Sequence, residues 1–367
     1  MVFFVGASIG SFLNVVIYRV PIGISVGNPK RSFCPSCKFQ IPWYQNIPIL
    51  AWVGLRGRCA NCKGKISARY VVVEFLVGVL FLLVWIWPWD AGRWVMFLPY
   101  WVLMCLFVVT VYIDFDHYII PDQVTLGGLV AGVALSAVFP YLHETNVWWE
   151  GLMWSVVGAA AGYGLLWAVV ELGKKAFGRV KLEFEKPETW VVCQDSAEEE
   201  PALTIDGEQY LWSEIFFRKT DRLIITAENV DLDGERFKGV EVVVFEETFS
   251  IRKPDGNGTG EEEKRFELES LDRVEGKTTR LVVPREAMGF GDVKFMAMLG
   301  AFLGWKAVLF TLFAASVIGT FVALPARLLG RQGWAAKIPF GPYLVIGGAI
   351  WMFFGSYILA WYLKLGH

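Results

Sequence analysis

Charged side chains are scarce in this sequence, and histidines are scarcer still. Asp, Glu, Lys and Arg make up 19% of the 367 residues, whereas 55% of the residues are hydrophobic and three are histidine. A soluble domain has about 25% charged residues and no long apolar runs. The composition therefore excludes an ordinary soluble enzyme and indicates a protein that crosses a membrane several times.

Familiar catalytic and nucleotide-binding signatures are also missing. His117 lies near a group of acidic residues, but no serine or cysteine stands beside it as a partner nucleophile. No glycine-rich loop sits on a βαβ pattern, so the sequence contains no recognisable nucleotide-binding fingerprint. We expect no nucleic-acid partner, and the acidic residues become the main candidates for chemistry.

Acidic residues are absent from one long stretch and abundant in another. The stretch 19–70 has nine Lys and Arg and no Asp or Glu, whereas 173–285 has 18 basic and 26 acidic residues, a net charge of -8. The apolar remainder of the chain has seven basic and ten acidic residues. The pattern indicates two water-exposed segments of opposite charge, separated by membrane spans.

Apolar runs predict the fold class. A membrane-spanning helix needs about 20 mostly apolar residues. We predict an all-α polytopic membrane protein with about eight transmembrane helices, a small zinc-binding cytoplasmic loop domain at 19–69, and an inserted β-rich cytoplasmic domain at 173–285. The remaining segments, 1–18, 70–172 and 286–367, hold helix 1, helices 2–5 and helices 6–8. The predicted spans lie at about 1–18, 70–88, 97–114, 123–141, 151–172, 293–304, 307–327 and 340–363.

The basic residues of the loops predict the orientation. Without 173–285, this arrangement places 13 basic residues on the side of the 19–70 loop and three on the other. Loops rich in Lys and Arg stay in the cytoplasm. We therefore expect both termini outside and the lipid bilayer as a partner. The first apolar run has no basic residue before it, which favours a membrane anchor over a cleaved signal peptide.

Two cysteine pairs predict a metal site. Cys34 and Cys37 are followed after 21 residues by Cys59 and Cys62. Two such CxxC pairs can place four thiolates around a zinc ion. Two disulfides are the alternative, and a reducing cytoplasm disfavours them. Four protein ligands leave no open position on zinc, so we expect a structural metal.

The predicted insertion has strand patterns and no recognisable site. Short β-branched runs begin at Leu223, Val240 and Arg280, between turn signals such as Asp233-Gly and Asp255-Gly-Asn-Gly. No metal, phosphate or nucleophile spacing occurs in this segment. Two roles stay open: an inert addition, or a domain that gates substrate access or binds an assembly partner.

Two acidic motifs fall on the same predicted membrane face. The first contains Asp114, Asp116 and Asp122, and the second is Gly289-Phe-Gly-Asp292-Val-Lys294. Glycines permit close backbone approach, so Asp292 could come near one of the first three acids. Two neighbouring carboxylates, one protonated and one ionised, suit an aspartyl protease. Helix caps, ion pairs with Lys or Arg, and the proton relay of a transporter are the alternatives.

Together, five motifs resemble the type IV prepilin peptidases, a family of bifunctional leader peptidases and N-methyltransferases. They occur in the family's order and cover most of the chain outside 173–285. The motifs are Gly10-Ser-Phe-Leu-Asn-Val-Val-Ile-Tyr-Arg-Val-Pro21, the paired CxxC loop, Asp114-x7-Asp122, Gly289-Phe-Gly-Asp292-Val-Lys294 and Pro339-Phe-Gly-Pro-Tyr343.

The resemblance implies a GxGD-type aspartyl peptidase of the bacterial inner membrane. Such an enzyme cuts the leader from prepilins and pseudopilins on the cytoplasmic side, then methylates the new N-terminal residue with S-adenosylmethionine. The catalytic aspartates fall on Asp114 and Asp292, while Asp116 and His117 match variable positions. Asp122 is expected to cap the fourth span, and pilus or type II secretion machinery are possible partners.

Two other functions remain as alternatives. A proton-coupled transporter would place acids deep within several spans, whereas here they gather at one face. A non-catalytic assembly scaffold would use the cysteine loop and the insertion as docking surfaces. The insertion itself departs from the family, whose members usually have a short connection before GxGD.

Overall fold

The computed structural model describes most of the chain, with gaps in its loops. The described residues are 1–28, 32–34, 36–87, 94–177, 179–193, 201–205, 207–216, 222–232, 235–252, 263–268, 273–284, 289–328 and 339–365. They divide into two compact units, one formed by Met1–Ala168 with Met288–His367 and the other by Val169–Ala287.

The first unit is helical. Six described helices are long and apolar enough to cross a membrane, and α5 is a shorter apolar helix. The helices, including the short α2, are α1 (Val2–Arg19), α2 (Leu50–Gly54), α3 (Arg69–Ile86), α4 (Phe97–His117), α5 (Asp122–Val138), α6 (Trp148–Phe177), α8 (Phe290–Leu328) and α9 (Gly341–Leu365).

Close contacts at glycines give the directions of neighbouring helices. Gly78 of α3 lies against Phe3, and Gly10 of α1 lies against Glu74, so α1 and α3 run antiparallel. In the same way, Gly128 and Gly132 of α5 lie against Met298 and Phe302, so α5 and the start of α8 run parallel. The helices that carry Asp122 and Asp292 therefore begin at the same end of the bundle.

Helix α8 is interrupted at Gly304. This residue has φ 79° and ψ 171°, and a Cβ placed on Gly300 would lie 3.0 Å from Val308 Cγ2. Eight residues of a straight helix would separate these positions by about 12 Å, so the chain folds back at Gly304. Close to this break, the Ala301 carbonyl accepts hydrogen bonds from Ser155 Oγ at 2.8 Å and from Ser136 Oγ at 3.2 Å.

The second unit contains an antiparallel sheet of eight described strands and a short helix. The strands occur in the order β3-β2-β1-β8-β4-β5-β6-β7. They are β1 (Arg179–Cys193), β2 (Ala202–Ile205), β3 (Glu208–Leu211), β4 (Leu223–Leu232), β5 (Glu235–Val244), β6 (Thr248–Arg252), β7 (Glu263–Glu267) and β8 (Arg273–Pro284), with α7 (Trp212–Ile215) after β3.

β1 and β8, the first and last of these strands along the chain, are hydrogen-bonded neighbours in the sheet. Arg179 at the start of β1 pairs with Pro284 at the end of β8. Buried aromatic and aliphatic residues such as Trp190, Leu223 and Phe249 form the core of this unit. The chain therefore enters and leaves an independently packed domain at adjacent points, as expected for an insertion.

The structure confirms a mostly helical fold with an added β-sheet domain. The β-rich segment is confirmed, and strands β4, β5 and β8 contain the three runs named from the sequence. Predicted spans 293–304 and 307–327 occur as the two halves of α8, on either side of Gly304. Both turn signals, 233–234 and 255–258, lie outside the described residues, although Leu232 and Glu235 pair across the first.

Candidate active site

Two buried carboxylates come together at one end of the helical unit. Asp114 lies in the last turn of α4, and Asp292 lies in the first turn of α8. Asp114 is 5% exposed and Asp292 is 8% exposed, and the two carboxylates interact electrostatically. Within the described part of the chain, neither forms an ion pair. The structure thus buries the two predicted catalytic residues at the same end of the helical unit, and neither has an ion-pair partner among the described residues.

The segment between α4 and α5 packs against the GxGD motif. A Cβ on Gly291 would lie 3.1 Å from the carbonyl oxygen of Ile120, a tight contact with main-chain atoms. Gly289 is under no such constraint, because its Cβ would make only an ordinary contact of 3.5 Å with Asp292 Oδ2. Gly291 therefore permits the close approach that brings Asp292 to the end of α4.

Lys294 links the same two segments by an ion pair. Its Nζ lies 2.5 Å from Asp122 Oδ1 and 5.2 Å from the centre of the Phe290 ring. Lys294 lies two residues after Asp292, so the ion pair ties the start of α5 to the first turns of α8.

The prediction that Asp122 caps the fourth span is wrong. Pro121 is the N-cap of α5, no side chain caps the helix, and Asp122 is its first helical residue. Its carboxylate forms an ion pair with the Lys294 ammonium instead. The negative charge still favours the start of a helix.

Asp116 and His117 have different surroundings from those of Asp114. Asp116 Oδ2 lies 2.5 Å from the Arg69 guanidinium, which also stacks over the Tyr112 ring at 4.9 Å. His117 ends α4 and is exposed. The ion pair connects the end of α4 with the start of α3, so Asp116 has a structural partner.

The structure adds one residue that the sequence did not single out for a role. The amide of Gly341 donates a hydrogen bond of 2.9 Å to Asp114 Oδ2. Gly341 begins α9 and belongs to the motif Pro339-Phe-Gly-Pro-Tyr343. That motif was the available signal, but nothing in its residue types indicates a contact with an aspartate 227 positions earlier.

The arrangement supports acid–base chemistry. Two carboxylates in a shared buried site can hold one proton between them, so one acts as acid and the other as base. Such a pair can activate a water molecule and protonate a leaving amine.

The four predicted metal ligands form a compact cluster. All four Sγ atoms lie within 4.8 Å of one another, with Cys34 and Cys62 at 3.9 Å and Cys37 and Cys59 at 4.0 Å. Zinc–sulfur bonds of about 2.3 Å in a tetrahedron separate the sulfurs by about 3.8 Å. These distances suit a metal ion and exceed a disulfide bond of about 2 Å.

Main-chain amides prepare the cluster for a cation. The Phe39 N–H lowers the pKa of Cys37 to about 6, and the Cys62 and Asn61 N–H groups lower the pKa of Cys59. The Gly64 N–H acts on Cys62 in the same direction, but the Cys37 thiol and burial outweigh it and raise the pKa of Cys62 to about 11. Four thiolates therefore need a positive ion to coexist.

A cavity of about 360 Å³ lies between the cysteine segment and the ends of α1 and α3. Its lining combines polar groups, including Asn14 and Glu74, with aromatic side chains, including Trp52. Another cavity, of about 480 Å³, lies beside the Gly304 break and contains neither aspartate. The smaller cavity is the one that adjoins the metal cluster.

A strained turn borders the smaller cavity. Ile49 has φ 63° and ψ -53°, and its amide donates a hydrogen bond of 2.7 Å to Glu74 Oε2. A positive φ is unusual for a β-branched residue, and such strain gathers at ligand sites. Asn14 Nδ2 donates to the Tyr70 carbonyl at 3.0 Å, which joins α1 to α3 at the same place.

Comparisons with known proteins agree with this geometry. The bacterial peptidase A24 N-terminal domain matches residues 4–87, and the type IV leader peptidase family matches 101–182 and 277–324. The second match skips most of the β-rich unit. It includes both Asp114 and Asp292, and the first match includes all four clustered cysteines.

Curated relatives share one description, prepilin leader peptidase/N-methyltransferase. The relative from Aeromonas hydrophila is 28% identical, over 99% of this chain and 93% of its own length. That from Stutzerimonas stutzeri is 25% identical, over 98% and 91%. That from Myxococcus xanthus is 40% identical, over 49% and 50%. No solved structure matches significantly.

Proposed function

The chain belongs to the type IV leader peptidase family, and we propose that it removes the leader from type IV prepilins or pseudopilins and methylates the new N-terminus. The observation that carries the peptidase part is the buried pair Asp114 and Asp292. The transporter and scaffold alternatives are not favoured by the relatives, whose shared name is that of a peptidase and methyltransferase.

In the proposed cleavage, the two aspartates share the proton transfers. The ionised carboxylate takes a proton from a water molecule, whose oxygen attacks the carbonyl carbon of the scissile peptide bond. The protonated carboxylate donates to the carbonyl oxygen, and the other carboxyl gives the proton taken from water to the leaving nitrogen as the C–N bond breaks. A hydroxyl of the tetrahedral intermediate returns its proton to the first carboxylate. A carboxyl product and a free amine result, and the pair regains one proton for the next cycle.

We propose eight membrane crossings in the bacterial inner membrane, with both termini outside. The alternating directions of the packed helices support this number, because α8 folds back at Gly304 and each of its halves then counts as one crossing. The excess of basic residues in 19–70 supports a cytoplasmic position for that loop. The carboxylate pair lies at the end of α4 and the start of α8, and it faces the cytoplasm in this orientation.

The cysteine cluster is proposed to hold a structural zinc ion. Cys34, Cys37, Cys59 and Cys62 supply all four ligands, and the sulfur distances fit a tetrahedral ion. Zinc would tie two CxxC turns together in a segment that has few buried apolar residues of its own. The four sulfurs complete the coordination, so the ion takes no part in cleavage.

We place the methyl donor, S-adenosylmethionine, in the cavity beside the cysteine cluster. When bound, it supplies an activated methyl group carried on a positively charged sulfur. The Glu74 carboxylate would attract that charge, Asn14 offers a hydrogen-bonding amide, and Trp52 offers an aromatic face. The cavity volume of about 360 Å³ is within the usual range for small-molecule sites.

The peptidase assignment is tested with single carboxylate replacements. Asp114→Asn and Asp292→Asn should each lower leader cleavage about 10³-fold or more, because general acid–base groups contribute about 10²–10⁴-fold each. Asp116→Asn is the matched control, since it lies two residues from Asp114 on the same helix and pairs with Arg69. Purified variants in detergent are assayed with a prepilin substrate. Wild-type cleavage by either of the first two variants would refute the assignment.

A further inference from the structure

The first turn of α9 directs one main-chain donor at the carboxylate pair. The Gly341 amide lies 2.9 Å from Asp114 Oδ2, and the bond is buried. The first N–H groups of a helix have no partner within the helix. The N–H groups of residues 341–344, at the start of α9, can each be accounted for.

Among residues 341–344, only Gly341 has an N–H that can donate outside the helix. Pro342 has no N–H. The amides of Tyr343 and Leu344 both donate to the Phe340 carbonyl, at 3.1 and 3.2 Å. Gly341 alone therefore has an N–H to offer, and the carboxylate of Asp114 receives it.

The same contact leaves no room for a side chain. A Cβ on Gly341 would lie 2.6 Å from Asp114 Oδ2, 3.3 Å from its Cγ and 3.2 Å from Ile120 Cδ1. Ile120 also lies against Gly291, the glycine that precedes Asp292. The start of α9 therefore packs into the space where the two acidic motifs meet.

A second contact between α9 and α4 gives the relative direction of the two helices. Gly348 lies against Phe107, and Gly341 lies against Asp114. Gly341 and Gly348 are seven residues apart on α9, and Phe107 and Asp114 are seven residues apart on α4. The earlier residue of one helix contacts the later residue of the other, so α9 and α4 run antiparallel. The hydrogen bond is thus one end of a continuous contact between the two helices.

We propose that Gly341 is a positioning residue for leader cleavage. Its amide fixes Asp114 Oδ2 and leaves Oδ1 free to act on water, and the start of α9 favours negative charge on that carboxylate. This role rests on the proposed peptidase function. It assigns the Pro339–Tyr343 motif to the active site as a third component, beside the two acidic motifs.

The test compares Gly341→Ala with Gly348→Ala. The second variant adds the same methyl group to the same helix, 2.6 Å from Leu299 Cδ1 and 3.0 Å from Phe107 Cζ, which are the far ends of side chains and not catalytic groups. A displacement of a catalytic group by about 1 Å costs about 10²-fold in rate. Gly341→Ala should therefore lower kcat for cleavage about 100-fold and leave KM within about twofold, whereas Gly348→Ala should keep kcat within about threefold of wild type.

Three results would overturn the proposal: wild-type kcat in Gly341→Ala, an effect confined to KM, or an equal loss in both variants. Methylation of a pilin peptide that already lacks its leader reports on folding, because the donor cavity is formed by other helices. Asp114→Asn, assayed in parallel, distinguishes a failure of the peptidase assignment from a failure of the role of Gly341. If it cleaves normally, the peptidase assignment itself fails; if it is inactive while Gly341→Ala is not, only the role of Gly341 fails.

Discussion

Three aspartates within nine residues have three different partners. Asp114 accepts the Gly341 amide, Asp116 pairs with Arg69, and Asp122 pairs with Lys294. Only Asp114 is buried beside another carboxylate. The partner, and not the residue type, distinguishes the proposed catalytic group from two acids that join helices.

At the same scale, Glu74 should separate the two proposed activities. Glu74→Gln removes the charge that faces the cavity, and hydrogen bonds to charged groups are worth about 1.5–3 kcal/mol. We expect binding of S-adenosylmethionine to weaken about 10- to 100-fold. Titration calorimetry measures the affinity, and a methyl-transfer assay on a leaderless peptide measures the consequence.

Cleavage by the same variant is its internal control, because Asp114 and Asp292 belong to other helices. Unchanged donor affinity would show that the cavity is not the methyl-donor site. Loss of both activities would point to a structural role for the hydrogen bond between Glu74 and Ile49.

Among the structural elements, the inserted sheet is built to be separable. Its first and last strands along the chain, β1 and β8, pair at Arg179 and Pro284. The two connections to the helical unit therefore leave the sheet about 5 Å apart. Its core consists of residues from this unit alone. A domain of this kind can be added to a loop without changing the fold that surrounds it.

Replacing 180–283 by a short Gly-Ser linker should therefore leave a folded enzyme. Because the ends are adjacent, the linker closes a short gap at little entropic cost, and we expect cleavage within about threefold of wild type. Detergent-purified protein is assayed for cleavage and for methylation of a leaderless peptide. Loss of cleavage with intact methylation would contradict an inert insertion and assign the domain to prepilin access.

For the molecule as a whole, the cysteine cluster is expected to stabilise the segment 19–69 when it holds a metal ion. Protein purified under reducing conditions should contain about one zinc per chain, because four thiolates complete one tetrahedral site. Cys34→Ser should remove the zinc, which elemental analysis measures. Methylation should fall more than cleavage, since Cys34 and Cys59 line the donor cavity.

Cys105→Ser is the matched control, because Cys105 lies outside the cluster on α4. It should keep both the zinc and methylation. Full zinc content in Cys34→Ser, or none in the wild-type protein, would contradict the proposed metal site.

Much of the fold and part of the candidate site could be predicted from local patterns. Long apolar runs located the membrane helices to within a few residues, because a span is a property of consecutive residues. The proposed metal-binding cysteines could also be predicted from local sequence, since each CxxC pair folds into its own turn. The start of α5 shows the limit of local patterns. They assign Asp122 to a helix cap, because its partner Lys294 is 172 positions away in the sequence.

The sequence by itself determined that this protein is a membrane protein of the leader peptidase type, with two acidic motifs and four clustered cysteines. Only the tertiary structure decided which acid faces Asp292, which acids form ion pairs, and where Gly341 donates its amide. The physical reason is distance along the chain. Hydropathy and motif spacing act between neighbours, whereas the carboxylate pair and its support depend on α4, α5, α8 and α9 meeting at one end of the bundle.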